Sequence, residues 1–314
     1  MARPVVQLVA TGGTIAMTGT PARPALSGEE LIAAVPELDQ IAELRVEQLS
    51  NVPGVNLDPP AMARALAAAS RAVAEGAAGA VITQGTDTIE ETAELARLGW
   101  SYEEPLAITG AIRTGGSTGS DGPLNLLDAV RLAADGNGLG AVVVFDGLAH
   151  PAAEVVKSHS WRSDAFSSDT PVAEIREGRV RLLATPERQE PIALADARLN
   201  AHVPIVAAAA GMDSRVLEQD VDGLVVIALG AGHLPEAMLP GVDRALANGI
   251  PVVVCARPAQ GGTLEHTYGF VGSETDLAER GAILAGAASP WKARIRLLVA
   301  IGLGQDPRTL FTVR

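Results

Sequence analysis

Three glycine-flanked segments carry most of the side chains in this chain that could do covalent chemistry. They are Thr11-Gly12-Gly13-Thr14-Ile15-Ala16, Thr83-Gln84-Gly85-Thr86-Asp87-Thr88-Ile89-Glu90-Glu91-Thr92, and the Gly/Ser-rich run from Thr109 to Pro123. The first two each set a threonine hydroxyl one residue past a glycine, at Thr14 and Thr86. Glycine lets backbone approach a ligand closely, and a helix starting just beyond turns N–H groups toward developing negative charge. A nucleophile beside an oxyanion hole is the chemistry such a pair could perform. Each segment alone reads first as a turn or a helix cap, because Thr and Asp are common N-caps and Thr88-x-x-Glu91 fits a capping box. The third run reads as a flexible connection or as a serine amidase loop. A phosphate loop is excluded, since GxxxxGK[ST] is absent, and no GxGxxG follows the first apolar run.

Lysine is scarce: of 24 basic residues only Lys157 and Lys292 are lysines. Arginine stays protonated in proteins, whereas a desolvated lysine can lose its proton and serve as a base. Lys157, in Glu154-Val-Val-Lys157-Ser-His-Ser160, is thus a candidate base, with a plain surface charge as the alternative. The five histidines, at 150, 159, 202, 233 and 266, show neither HExxH nor a close pair, so no metal is expected. Cys255 is the single cysteine and lies in an apolar run, which excludes an intramolecular disulfide framework and reads as a buried small hydrophobe.

Positioning these groups requires a scaffold, and short β-branched runs alternating with amphipathic segments predict β-α units around a parallel sheet. Strands are expected over 5–10, 80–83, 106–109, 141–146, 204–209, 224–229 and 251–255, and helices over 60–75, 88–98, 123–134 and 236–248. Ser27-Gly-Glu-Glu30 reads as a capping box, and Pro123 suits a first helical turn. Residues 174–183 alternate polar and apolar around Glu177-Gly178, which predicts an antiparallel hairpin. The polar, proline-interrupted stretch 185–203 reads as a linker between an N-terminal catalytic domain, 1–184, and a smaller parallel-sheet α/β domain, 204–314, with three β-α units. The fold class is therefore α/β with two domains, the larger built on a mostly parallel sheet flanked by helices with an added hairpin.

The 314 residues carry 37 acidic side chains against 24 basic ones, a formal net charge of −13. That balance argues against a nucleic-acid partner and favours small-molecule chemistry. No run reaches the ~18 to 20 apolar residues of a spanning helix, and no leader pattern opens the chain, so a cytoplasmic protein without membrane attachment is expected.

Taken together, Thr11-Gly-Gly-Thr14-Ile-Ala16 and Thr83-Gln-Gly-Thr86-Asp87-Thr-Ile-Glu-Glu-Thr92 resemble the two signature segments of the bacterial-type L-asparaginase/glutaminase family. Thr109-Gly-Ala-Ile-Arg113, Ser120-Asp-Gly-Pro-Leu-Asn125, Val156-Lys157 and Tyr268-Gly-Phe270 are similar to family blocks in the same order, so the resemblance covers nearly the whole chain. It implies a two-domain α/β amidohydrolase, with no cofactor or metal, that converts L-asparagine to L-aspartate and ammonia through a threonyl acyl-enzyme. It also implies a homotetramer or homodimer with sites at the subunit interface. On that resemblance Thr14 is the nucleophile, and Thr86, Asp87 and Lys157 form the polar relay, Lys157 supporting the basicity of Thr86. Asp87 also holds the substrate's α-ammonium, while Gly13, Gly85 and Ala111 contribute backbone groups.

Three departures are visible in the residues. The family's lid tyrosine has no counterpart in Met17-Thr-Gly-Thr-Pro-Ala-Arg-Pro-Ala-Leu26. The position of the pair gripping the substrate carboxylate is occupied by Gly54 and Val55, followed by Asn56. The acid and amide that a neighbouring protomer would supply fall at Glu265 and His233. Loss of the carboxylate grip predicts altered selectivity, because a buried polar site rejects analogues that leave its groups unpaired. The alternatives are hydrolysis of another small amide, lactam or cyclic imide, a catalytically silent ligand-binding protein, and an amidotransferase component acting on charged tRNA.

Overall fold

The computed structural model describes residues 2–135 and 138–311; Met1 and residues 312–314, the outer ends of the two expected domains, lie outside them. Two compact units divide between Ala195 and Asp196.

In the first unit the elements run β1 (Val5–Gly12), β2 (Met17–Thr18), β3 (Arg23–Pro24), α1 (Gly28–Ala33), β4 (Glu43–Val52), α2 (Pro59–Ala74), β5 (Gly79–Thr83), α3 (Ile89–Gly99), β6 (Leu106–Thr109), α4 (Gly122–Asp135), β7 (Ala141–Phe145), β8 (Leu148–Pro151), β9 (Val156–Lys157), β10 (Phe166–Ser167), β11 (Ala173–Arg176) and β12 (Arg179–Leu182). An eight-stranded sheet takes the order β12-β11-β8-β7-β6-β5-β1-β4. The stretch from β7 to β4 is parallel, and β8, β11 and β12 are antiparallel additions, with β11 and β12 forming the expected hairpin. β5 and β6 are buried at every position, as the near-continuous apolar runs Gly-Ala-Val-Ile-Thr and Leu-Ala-Ile-Thr require of strands covered on both faces. Helix α2 starts where Asp58 accepts from Ala61 N and Pro59 fills the first turn, and it buries Met62, Ala65, Leu66, Ala69 and Val73. The Ser27/Glu30 capping box forms with both of its bonds at the start of α1.

β4, the longest strand, arises where the sequence pattern indicated no element. It is an edge strand with no fully buried residue: Leu44, Val46, Leu49 and Val52 are half-buried, and Glu43, Arg45, Gln48 and Asn51 are exposed.

The second unit contains β13 (Ile205–Ala207), β14 (Leu224–Ala228), α5 (Leu239–Ala247), β15 (Val252–Ala256), α6 (Glu274–Arg280), β16 (Ile283–Leu284) and α7 (Pro290–Leu303). Its four strands are parallel in chain order. The expected helix over 236–248 opens as a 3-10 turn at Glu236–Met238 before α5 begins. Strand β16 and helices α6 and α7 are additions to the sequence expectation. Cys255 is fully buried in β15, and burial pushes its thiol up to about 12, so it is an inert core side chain.

Candidate active site

The parallel strands of the first unit take the spatial order β4-β1-β5-β6-β7, so the winding direction reverses beside β1. Ligands of open α/β sheets bind beyond the carboxyl ends of the strands at such a reversal. The loops leaving β1 and β5 there are the Thr14 and Thr86 segments. Thr11 Oγ1 ties the two strand ends together by donating to Thr83 O at 2.9 Å.

Glycine is required where these loops meet. A Cβ built on Gly13 falls 2.1 Å from Gly85 N, and Gly13 has a φ of +83°. A Cβ on Gly85 falls 2.3 Å from Gly54 Cα, and one on Gly54 falls 2.8 Å from Gly85 Cα. Three backbone segments thus pack without intervening side chains, and the residues that follow two of them are Thr14 and Thr86. Thr14 is half-buried and opens a 3-10 turn, Thr14–Ala16. Thr86 is buried and opens a second, Thr86–Thr88, which leads into α3, so its hydroxyl lies at the positive end of that helix.

Across the chain from Thr86, the short hairpin β9–β10 delivers Lys157. Its Nζ donates to Thr86 Oγ1 at 2.9 Å and to Asp87 Oδ1 at 2.9 Å. The lysine side chain is 19% exposed and the aspartate 52%, so the pair opens to water on the aspartate side. Hydroxyl, amine and carboxylate in this order can move a proton away from an alcohol or hold one beside it. The Lys157 backbone N–H also donates to Glu90 Oε1 at 2.9 Å, a contact that the sequence reading did not anticipate.

The loop after β6 is fastened at its base. Asp121 accepts from Ile112 N and Arg113 N, and Asn125 donates to Gly110 O and accepts from Asp146 N. The reading of this run as a flexible connection is corrected for residues 110–113, including the fully buried Ala111; the tip from Gly115 to Gly119 is exposed. Thr88 is likewise not the cap that was expected. Its hydroxyl makes no bond to the α3 backbone N–H groups and instead donates to Gly54 O at 3.2 Å, while accepting from Gln84 Nε2 at 3.4 Å.

Of the expected carboxylate-binding residues, Gly54 is buried against Gly85, while the Val55 side chain is 69% exposed and Asn56 is exposed. The segment that would hold a lid tyrosine folds as the small hairpin β2–β3, and Met17 O accepts from Gly115 N. Glu265 and His233 belong to the second unit. Glu265 is exposed, with His266 Nε2 3.6 Å away. His233 donates from Nε2 to Glu274 Oε2 at 3.1 Å and lies edge-on to Tyr268 and Phe270. Glu274 is fully buried. Burial pushes its carboxyl up, but N–H bonds from Tyr268 and Thr267 and the nearby His233 outweigh that and hold it below the usual carboxylate range. Among the described residues no three His, Cys, Asp or Glu side chains converge as metal ligands would.

Comparison with known proteins defines the class. The family model for the N-terminal domain of asparaginase matches residues 5–188, and that for the glutaminase/asparaginase C-terminal domain matches residues 202–313. The chain is 36% identical to a probable L-asparaginase of Deinococcus radiodurans, over 98% of this chain and 97% of that protein. It is 30% identical to a component of the glutamyl-tRNA(Gln) amidotransferase of Pyrococcus furiosus, over 97% of this chain and 74% of the relative. Among solved structures it matches a probable cytoplasmic L-asparaginase from Campylobacter jejuni with a TM-score of 0.87 at 28% identity, each chain being 98% covered. The protein is an amidohydrolase with a two-domain α/β fold. It belongs to the asparaginase/glutaminase family.

Proposed function

We propose that this chain hydrolyses the side-chain amide of L-asparagine to L-aspartate and ammonia through a threonyl ester on Thr14. The observation that carries the reading is the Lys157 Nζ within 2.9 Å of both Thr86 Oγ1 and Asp87 Oδ1, at the switch point from which the Thr14 loop also leaves. A threonine hydroxyl is a weak nucleophile until a neighbouring group takes its proton. Thr14 Oγ1 attacks the amide carbon, its proton passes to the Thr86/Lys157 relay and on to the leaving nitrogen, and the C–N bond breaks to release ammonia. Water then attacks the ester, the relay takes one of its protons, and the acid departs with Thr14 restored. Backbone N–H groups just past Gly13 and Gly85 are the donors for the developing oxyanion, the Gly13 N–H itself being bonded to Val52 O at 2.9 Å. Asp87 balances the lysine charge and offers its exposed oxygen to a substrate ammonium.

A second reading has a specific observation in its favour. Gly54 is packed against Gly85, and neither it nor the outward Val55 offers a side-chain hydrogen bond for a substrate carboxylate. The same threonine chemistry would then serve another small amide, lactam or cyclic imide. The role of an amidotransferase component, as in the Pyrococcus relative, is disfavoured by the net charge of −13, which repels charged tRNA. We place the protein in the cytoplasm, in keeping with the Campylobacter structure; among the described residues no helix is long and apolar enough to cross a membrane. We also assign it to a homotetramer or homodimer in which the exposed Glu265, with His233, serves a neighbouring copy's site.

Ammonia release over a concentration range of L-asparagine, with D-asparagine, L-glutamine and simple amides alongside, tests the reading. Saturable release that disappears in Thr14→Ala supports it. Turnover confined to another amide keeps the chemistry and moves the substrate, and equal release from Thr14→Ala overturns the threonyl mechanism.

A further inference from the structure

Lys157 is held at both ends by one stretch of chain. Its Nζ meets Thr86 and Asp87, just before α3, and its peptide N–H meets Glu90, the second residue of α3. Residues 87 and 90 are separated by roughly 5 Å of helix rise. An extended lysine side chain can span such a gap while its backbone stays anchored at the far end.

The hairpin that carries Lys157 is a weak scaffold by itself. β9 and β10 have two residues each and pair only with one another, and isolated short hairpins are marginal in water. In their antiparallel register Lys157 faces Phe166, and the Lys157 N–H is directed to Glu90 rather than to that partner. Glu90 Oε1 therefore joins the hairpin to α3 at the residue whose amine serves the site.

We propose that Glu90 is a positioning residue: by accepting the Lys157 peptide N–H it fixes where the lysine amine meets Thr86 and Asp87. The inference rests on the proposed threonine chemistry for its kinetic consequence, but the anchoring itself does not.

Three substitutions separate reach from charge. Glu90→Gln keeps an acceptor oxygen at the same reach and loses the charge. Glu90→Asp keeps the charge and withdraws the oxygen by one methylene, and Glu90→Ala removes both. Glu90→Asp and Glu90→Ala are expected to lower kcat by about 10- to 100-fold, the scale of a displacement near 1 Å in a reacting group. KM should stay within about threefold, because the loss falls on the transition state rather than on binding. Glu90→Gln is expected to stay within about threefold of the parent in both constants. Residue-resolved hydrogen exchange gives a readout independent of turnover: the Lys157 N–H should exchange slowly in the parent and in Glu90→Gln, and fast in Glu90→Asp and Glu90→Ala. If Glu90→Ala fails to fold, the Gln and Asp variants decide.

Impairment of Glu90→Gln with Glu90→Asp near the parent would show that charge, not the acceptor, matters, and equal impairment of the two would show that the acceptor's reach alone does not set the lysine; either result would overturn the proposal. Unchanged Lys157 exchange in the Asp variant would overturn it as well. Should the parent release no ammonia from any amide, or Thr14→Ala release as much as the parent, the functional reading fails, and the exchange rates still decide whether Glu90 anchors Lys157.

Discussion

Lys157 Nζ has two oxygen partners at 2.9 Å, so its removal strips Thr86 and Asp87 together. Lys157→Met keeps the aliphatic stem and loses only the amine. It is expected to lower kcat by about 10²- to 10⁴-fold, the range of a positioned proton-transfer group, while the unfolding temperature stays close to the parent's; ammonia release and a thermal melt check both. At Gly54 the expectation is steric. A serine there would restore a hydroxyl, but its Cβ would lie 2.8 Å from Gly85 Cα, so the loops must part before the hydroxyl can serve a carboxylate. Gly54→Ser is therefore expected to lower stability by about 1–3 kcal/mol, as overpacking does, without lowering KM for L-asparagine; a gain in affinity would contradict the packing argument. Residue types made Thr14, Thr86 and Lys157 legible as candidates, since hydroxyls after glycine and a rare lysine are visible in one dimension. The bond from Lys157 N to Glu90 was not, because 67 residues separate them and only the hairpin's fold brings them together.

Among the elements, the turn from Gly85 into α3 does the most joining. Thr88 was expected to spend its hydroxyl on the helix, yet donates it to Gly54 O and so links the β5 loop to the one after β4. Thr88→Val keeps the shape and deletes that bond, worth about 1 kcal/mol. If Gly54 helps to frame the substrate, KM should rise about fivefold with a smaller change in kcat; steady-state kinetics would expose the opposite split, in which only kcat falls. The central strands were readable from buried apolar runs such as those of β5 and β6. β4 escaped because an edge strand with four of its ten residues exposed and none fully buried lacks such a run. α7 escaped for the opposite reason. Its buried residues include Lys292, Ala293, Ile295, Leu297, Leu298, Val299 and Ala300, which leave no polar stripe to mark a helical period. Its ends were more telling, with Ser289 as N-cap, Pro290 in the first turn and Gly304 left-handed at the C-cap.

At the scale of the whole first unit, two buried titratable groups oppose each other as pH changes. His150, 3% exposed with Nδ1 2.9 Å from Ser168 Oγ, is pushed by burial from 6.5 down to about 4. Asp128, also 3% exposed, is pushed by burial from 3.8 up to about 6 against the pull of Arg131. Between about 4 and 6.5 the unfolded chain binds a proton at His150 that the native state refuses, so this group's stability is present above 6.5 and is lost as pH falls. Between 3.8 and about 6 the native state keeps a proton at Asp128 that the unfolded chain releases. That contribution is present below 3.8 and is lost as pH rises through 6. Each shift corresponds to about 3 kcal/mol, so over the shared window the two slopes largely cancel. Single substitutions should uncover them with opposite signs. Relative to the parent, His150→Gln should become progressively more stable as pH falls from 6.5 to 4, and Asp128→Asn progressively more stable as pH rises from 4 to 6. Denaturant midpoints followed by tryptophan fluorescence in a Trp291→Phe background would report the first unit alone, since Trp100 and Trp161 both lie within it. Parallel pH profiles for the parent and both variants would remove these two groups from the account. Crossing profiles would show that the acid tolerance of the unit is a balance between two burials rather than the absence of any.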